Sequence, residues 1–383
     1  MSYYRWNKRV TELRCLRCNR NEPVGLFPKG CPQCLEQGFP VSLKVAYDEE
    51  QVPSLDQTKR GMMRYRDWLP YRTFPTLGEG GTPLVELPRL AEEHGIQTLW
   101  IKNEWQNPTG SHKDRMSPLI VAHAVETEKE SIVVSSSGNA GVSVASYGAA
   151  AGIKCVVITT EQIHPVWEKA IRLTGAELVK VTNPHRRWKV AEELVKKGAY
   201  SATNYLNPPV GSDCYGIQGY KTLAFEIIED LRESMPTAIL LPCPRGDLLW
   251  GVAQGFLEAK QVGWIQDIPR LFAVEPFPRL SAVSKASDCQ KHYEGNATQV
   301  PSIGGNTVTY QAWWALQQTR GKAVVASGSE ATPSQEKWGR HGLFLESSSA
   351  IVWTALQKLR EKGEIREQDR VLLVATSHGY KGT

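Results

Sequence analysis

Residues 107–116 read NPTGSHKDRM. Lys113 stands directly behind a Pro-Thr-Gly-Ser turn and opens an amphipathic stretch, KDRMSPLIVAHAVETEKE. A surface lysine needs no such preparation. A lysine that does chemistry needs it, because its amine must be held at a fixed point and partly desolvated. Read as chemistry, Lys113 is a Schiff-base lysine in an apolar, phosphate-bearing pocket that makes its ammonium labile. Read as structure, it is a lysine in the first turn of a surface helix. The segment by itself supports both readings.

Outward from this stretch, short β-branched runs alternate with helical patterns. The runs are LWIKNE (99–104), SIVVS (131–135), IKCVVIT (153–159), AELVKV (176–181), AILLPC (238–243), LFAVEP (271–276) and RVLLVATS (370–377). Buried apolar strands alternating with helices predict an α/β fold of parallel sheets flanked by helices. In such sheets ligands sit beyond the C-terminal ends of strands, beside helix N-termini. Three further segments fall at such places. SSSGNAGVSVASYGAAAGIK (135–154) follows a strand and opens a helix of small residues. Its backbone N–H groups and short hydroxyls suit an anion such as a carboxylate, and Asn139 adds an amide. AILLPCPRGDLLWGVAQGF (238–256) is a weaker cradle, with Gly246 between Pro244, Arg245 and Asp247. VATSHGYKGT (374–383) ends a strand in small hydroxylated residues. Each also reads as an ordinary loop with close helix–sheet packing.

The 383 residues suffice for two packed domains. The +5 net charge is spread along the chain without a basic block, which argues against nucleic acid as partner. No apolar run is long enough to span a bilayer, and MSYYRWNKRV is not a signal peptide, so a cytoplasmic protein off the membrane is expected. Four of the eight cysteines form two pairs, Cys15 with Cys18 and Cys31 with Cys34. Two such knuckles turn four thiolates toward one point, which predicts a structural zinc site rather than disulfides. With every ligand position filled, no place is left for a reactive water.

Taken in order, GEGGTPL (78–84), NPTGSHKDR, SSGNAG, GYKTLAFEI (219–227), GLFLESSSA (342–350) and ATSHG (375–379) resemble the fold type II pyridoxal-phosphate (PLP) enzymes. With RYRDWLP (64–70) and the four-cysteine lead, they resemble threonine synthases in particular, from about Cys15 to His378. The resemblance implies two open α/β domains of the tryptophan synthase β type with PLP in the cleft. A zinc-ribbon-like module would span 1–45, a large domain 46–110 with 206–383, and a small domain 111–205. It implies that Lys113 bonds PLP and shuttles the α-proton, and that Asn139 meets the cofactor's phenolic oxygen. Ser136, Ser137, Gly138 and Ala140 would bind the substrate carboxylate, and Thr376 would face the pyridine nitrogen. Pro244, Arg245, Gly246 and Asp247 would form the phosphate loop. His112 would be a further phosphate contact by the same resemblance, since tryptophan synthase β chains carry the same His-Lys pair; otherwise it is a helix-start residue that points away. Cys214 and Tyr215 would lie where a substrate side chain goes. A homodimer acting on a small amino-acid substrate is what the resemblance suggests.

Two departures shape the expected chemistry. Arg245 and Asp247 stand in a loop that the family fills with glycine and asparagine. Threonine synthases also carry a phosphate-binding arginine three residues before the glycine of GYKTLAFEI, and here that position is Gly216. A glycine cannot replace a guanidinium as a phosphate clamp. The first expectation is therefore β-replacement or β/γ-elimination on an amino acid bearing a leaving group. The second is threonine synthase proper, acting on O-phosphohomoserine, and the third a non-catalytic relative that binds a ligand or partner.

Overall fold

The computed structural model describes residues 3–48, 50–136, 138–183 and 186–381. Its strands are β1 (Val10–Cys15), β2 (Asn21–Glu22), β3 (Leu43–Tyr47), β4 (Leu84–Glu86), β5 (Thr98–Asn103), β6 (Ser131–Ser135), β7 (Lys154–Thr160), β8 (Glu177–Val181), β9 (Tyr200–Ser201), β10 (Ala238–Pro242), β11 (Arg270–Glu275), β12 (Lys322–Val325) and β13 (Arg370–Ala375). All seven runs read from the sequence are strands. Packing divides the chain into two units, Met1–Gly81 with Asn107–Thr222, and Thr82–Gln106 with Leu223–Thr383. These units break at 81, 106 and 222, so 46–81 and 206–222 pack with the segment carrying Lys113.

The first unit holds two sheets. A small antiparallel sheet runs β2-β1-β3 and carries the cysteines. A parallel sheet runs β8-β7-β6-β9. In β6 the central Ile132, Val133 and Val134 are all buried, as expected of a parallel strand covered on both faces. The helix Asn139–Ala151 packs close to this sheet because its residues are small. A Cβ on Gly148 would lie 2.2 Å from Cys155 Sγ, and one on Gly141 would lie 3.0 Å from Val157.

The second unit is built on a six-stranded sheet, β12-β11-β10-β13-β5-β4, parallel except for β4. Every residue of β10 is buried, as is β13 from Val371 to Ala375. Phe272, Val274, Trp338, Trp353 and Leu373 belong to the apolar core of this unit. Lys102, on β5, is only 1 % exposed. Its ammonium is fully engaged, by Glu226 at 3.1 Å, Asp230 at 3.0 Å and the Thr82 carbonyl at 2.7 Å. Among the described residues, no helix is long and apolar enough to cross a membrane.

Candidate active site

Lys113 does not open the long helix that the sequence suggested. It sits on a short 3₁₀ turn, His112–Arg115, and the helix proper is Ser117–Glu126. The break falls at Pro118, which lacks an N–H and starts a helix better than it continues one. The turn is pinned from inside. Asp114, fully buried, accepts hydrogen bonds from the Thr109 N–H, the Thr109 hydroxyl and the Ser143 hydroxyl, each at 2.6 Å. Ser117 Oγ donates to the Lys113 carbonyl at 3.1 Å, and Arg115 donates to Thr222 Oγ1 at 2.9 Å. Only the Lys113 side chain is partly open. Its Nζ donates to the Tyr220 hydroxyl at 3.3 Å. His112 is nearly buried, and its ring lies 5.8 Å from that of Tyr220.

At the end of β6, Ser136 donates its N–H to the Ile158 carbonyl, and its hydroxyl accepts from the Gly138 N–H at 3.2 Å. Gly138 is buried under Trp167, whose ring would lie 3.3 Å from a Cβ there. Asn139 begins the helix and is 6 % exposed, while Ala140 is partly exposed. The chain therefore presents helix N–H groups beside a serine hydroxyl, which is an anion-binding arrangement. Ser137 lies outside the described residues.

Cys214 and Tyr215, expected near the substrate side chain, are both buried and engaged in packing. The Tyr215 hydroxyl donates to the Gly25 carbonyl at 2.9 Å and accepts from the Gly25 N–H at 3.1 Å, and its ring lies 3.9 Å from His123. Cys214 is buried, and burial pushes its thiol well above the ordinary range. At Gly216 a Cβ would lie 2.4 Å from Ile120 Cγ1, so this position faces the helix Ser117–Glu126 and has no room for an arginine.

The cysteine cluster brings Cys15, Cys18, Cys31 and Cys34 together, with all four sulfurs within 4.8 Å of one another. Cys15 and Cys34 are 3.6 Å apart, as are Cys18 and Cys31. A tetrahedral zinc with Zn–S bonds of about 2.3 Å sets its sulfurs about 3.8 Å apart, so the donor set fits the ion.

In the second unit the loop after β10 is shaped for close approach. Gly246 takes φ +95°, and a Cβ there would lie 2.2 Å from Ala312 Cβ. The helix Asp247–Gln261 starts immediately after it. The loop is braced from below. The buried Arg279 guanidinium donates to the Cys243 carbonyl at 3.0 Å and the Gly305 carbonyl at 2.7 Å, and Thr309 Oγ1 donates to the Arg245 carbonyl at 2.6 Å. Pro244, Arg245 and Asp247 are each partly exposed. The Arg245 side chain extends past Thr307, its Nε 3.4 Å from Thr307 Oγ1. A glycine-gated helix start with an adjacent guanidinium fits a phosphate, and only Asp247 in the first helical turn opposes it. Beyond β13, the buried Thr376 hydroxyl pairs with Ser349 Oγ at 2.6 Å, which accepts from the Ser377 N–H at 2.9 Å. This neutral hydroxyl pair fits a pyridine nitrogen that stays unprotonated. Tyr220, Ser349 and Arg279 were not singled out in the sequence. Tyr220 and Ser349 lie inside quoted motifs, whereas Arg279 lies in none.

Residues 75–377 match the family described as pyridoxal-phosphate dependent enzymes, and the chain belongs to that family. Within it, the chain is a homologue of threonine synthases. It is 30% identical to the threonine synthase of Methanocaldococcus jannaschii, over 96% of this chain and 92% of the relative. It is also 30% identical to the threonine synthase of Mycobacterium bovis, over 83% of this chain and 87% of that one. Solved structures share the fold. An O-ureido-L-serine synthase superposes with a TM-score of 0.63 at 24% identity, covering 78% of this chain and 90% of its own. The diaminopropionate ammonia lyase of Escherichia coli superposes with a TM-score of 0.68 at 20% identity, covering 79% and 86%. The cofactor is PLP, and the protein is a PLP-dependent enzyme.

Proposed function

We propose that this enzyme carries out β-replacement or β/γ-elimination on a small amino acid bearing a leaving group, with Lys113 as its base. The observation that carries this is the turn around Asp114, which fixes the backbone of Lys113 and leaves its side chain partly exposed. In this reading Lys113, Asn139, His112, Thr376 and the loop Pro244–Asp247 hold the cofactor. When bound, PLP withdraws electrons from the substrate Cα and so acidifies its hydrogen. The Lys113 Nζ accepts that proton and returns it later in the cycle. Ser136, the N–H groups from Gly138 onward and Ala140 orient the substrate carboxylate. Thr376 presents a hydroxyl, not an acid, to the ring nitrogen. That limits charge delocalisation into the ring and favours loss of a leaving group over other fates. The four thiolates hold a structural zinc, and the enzyme works as a cytoplasmic homodimer. Gel filtration checks the last point.

The test is the visible spectrum of the purified protein, with Lys113→Ala alongside, before and after addition of O-phosphohomoserine, O-phosphoserine, O-acetylserine and serine. A visible band that is lost in the variant and shifts with one substrate supports the reading. A protein that takes up no PLP refutes it. The full-length likeness to threonine synthases favours one second reading, threonine synthase itself. Release of phosphate from O-phosphohomoserine with formation of threonine would establish that reading in place of the first.

A further inference from the structure

The segment 214–221 is gripped from both sides within the first unit. On one side it lies against the turn that carries Lys113. A Cβ on Gly219 would fall 1.7 Å from the Arg115 carbonyl oxygen, so the two backbones are in contact. The fully buried Tyr220 then meets Lys113 with its hydroxyl, 3.3 Å from Nζ, and its ring, 5.7 Å from Nζ. On the other side the segment is tied to the cysteine module. Tyr215 closes a two-way hydrogen bond with the backbone of Gly25, which lies between Cys18 and Cys31. Tyr47, at the end of β3, donates to Gln218 Oε1 at 3.1 Å, and the buried Lys221 ammonium sits 4.2 Å from the centre of the Tyr47 ring.

We infer that Tyr220 is a positioning residue that aims the Lys113 amine, and that the cysteine module sets the register of the segment bearing it. Ordering of the module by metal is thereby coupled to the reactivity of Lys113. The coupling is chemical as well as steric. The tyrosine oxygen accepts a hydrogen bond from the amine, and the ring face attracts its positive form, so both favour a held ammonium. Tightening or loosening Gly25 and Tyr47 moves the same short segment, because Gly216 and Gly219 leave it no slack against Ile120 and Arg115. The inference builds on Lys113 as the cofactor lysine, but its test does not require the cofactor.

The experiment is competitive acylation of lysines by acetic anhydride in the full-length, cofactor-free protein, read by peptide mass spectrometry. Exposed Lys197 serves as reference, and buried Lys102 as control. In Tyr220→Phe, loss of one hydrogen bond should speed modification of Lys113 about two- to ten-fold, with Lys102 unchanged. An unchanged Lys113 rate overturns the inference, and so does an equal rise at Lys102, which reports general loosening. Removing metal with a chelator, or Tyr47→Phe where the chelated protein unfolds, should raise the Lys113 rate in the same direction. Chelated Tyr220→Phe should show no further rise, because both changes act through one contact. A Lys113 rate indifferent to the module overturns the coupling. A visible band that persists in Lys113→Ala would instead refute the cofactor assignment and leave these rates standing.

Discussion

Gly246→Ala is the perturbation whose cost can be worked most directly. The residue has φ +95°, and the left-handed region costs an L-residue about 1–2 kcal/mol. The new Cβ would sit 2.2 Å from Ala312 Cβ and 2.9 Å from Ala312 Cα, so loop and helix must part by about 1.2 Å to reach ordinary contact. Overpacking of that kind costs about 1–3 kcal/mol. The sum, about 2–5 kcal/mol, falls on the loop proposed to hold the cofactor phosphate. At its lower end it weakens PLP binding roughly 30-fold. The assay is titration of cofactor-free protein with PLP, followed at the visible band, with thermal unfolding of the same samples. The double variant Gly246→Ala with Ala312→Gly removes the 2.2 Å overlap but leaves the 2.9 Å approach to the Cα of residue 312 and the backbone term. It should recover part of the lost affinity. Unchanged affinity in the single variant, with an unchanged melting temperature, would falsify the argument that this turn requires glycine.

Other outcomes follow from groups elsewhere. Lys102→Met removes the ammonium that faces the carboxylate of Glu226, 4 % exposed, and breaking this buried pair should cost about 3–5 kcal/mol in urea unfolding. Adding Glu226→Gln should return most of that loss. Asp213 is half-buried, and desolvation raises its carboxyl to about 6 although the Tyr200 hydroxyl and the Gly216 N–H both donate to it. A raised folded-state value means that the folded protein binds the proton more tightly. Its stabilising contribution is therefore full below about pH 4 and lost as pH rises through 6, by up to about 3 kcal/mol. In Asp213→Asn, unfolding midpoints measured across that window should lose this component. For the metal, one equivalent of zinc is expected by elemental analysis, and Cys31→Ala should lose it and melt at lower temperature; a wild-type protein free of metal excludes the site.

What could be read from the sequence was what local chemistry writes into neighbouring residues. AILLP and RVLLVA are apolar without alternation because parallel strands are covered on both faces, so their identity as strands was plain. The short edge strands β2, β4, β9 and β12 were missed, because two to four residues carry no periodicity, and β1 and β3 were missed within the cysteine module. The cysteine cluster followed from spacing alone. The Lys113 turn was recognised, but its separation from the next helix was not, since Pro118 fits a helix start as well as a kink. Tyr220 escaped notice because its partner lies 107 positions away, and nothing in GYK says which way a tyrosine faces. The packing of Cys214 and Tyr215 was hidden in the same way. Adjacency in the chain does not reveal that the Tyr215 hydroxyl is spent on Gly25.

The order of the six-stranded sheet has a consequence for how the protein comes off the ribosome. β5 is made early, yet its parallel neighbour is β13, with Thr98 opposite Arg370. β10, which flanks β13 on the other side, also waits for it. Until those final residues emerge, β5 lacks its inner partner, and no nascent stretch of the second unit has a complete core to fold around. Such distant pairing slows folding and lengthens exposure of sticky strands. A stalled or clipped chain ending just before residue 370 would lack the middle of its sheet rather than a dispensable tail, and should be recognised by quality control as unfinished.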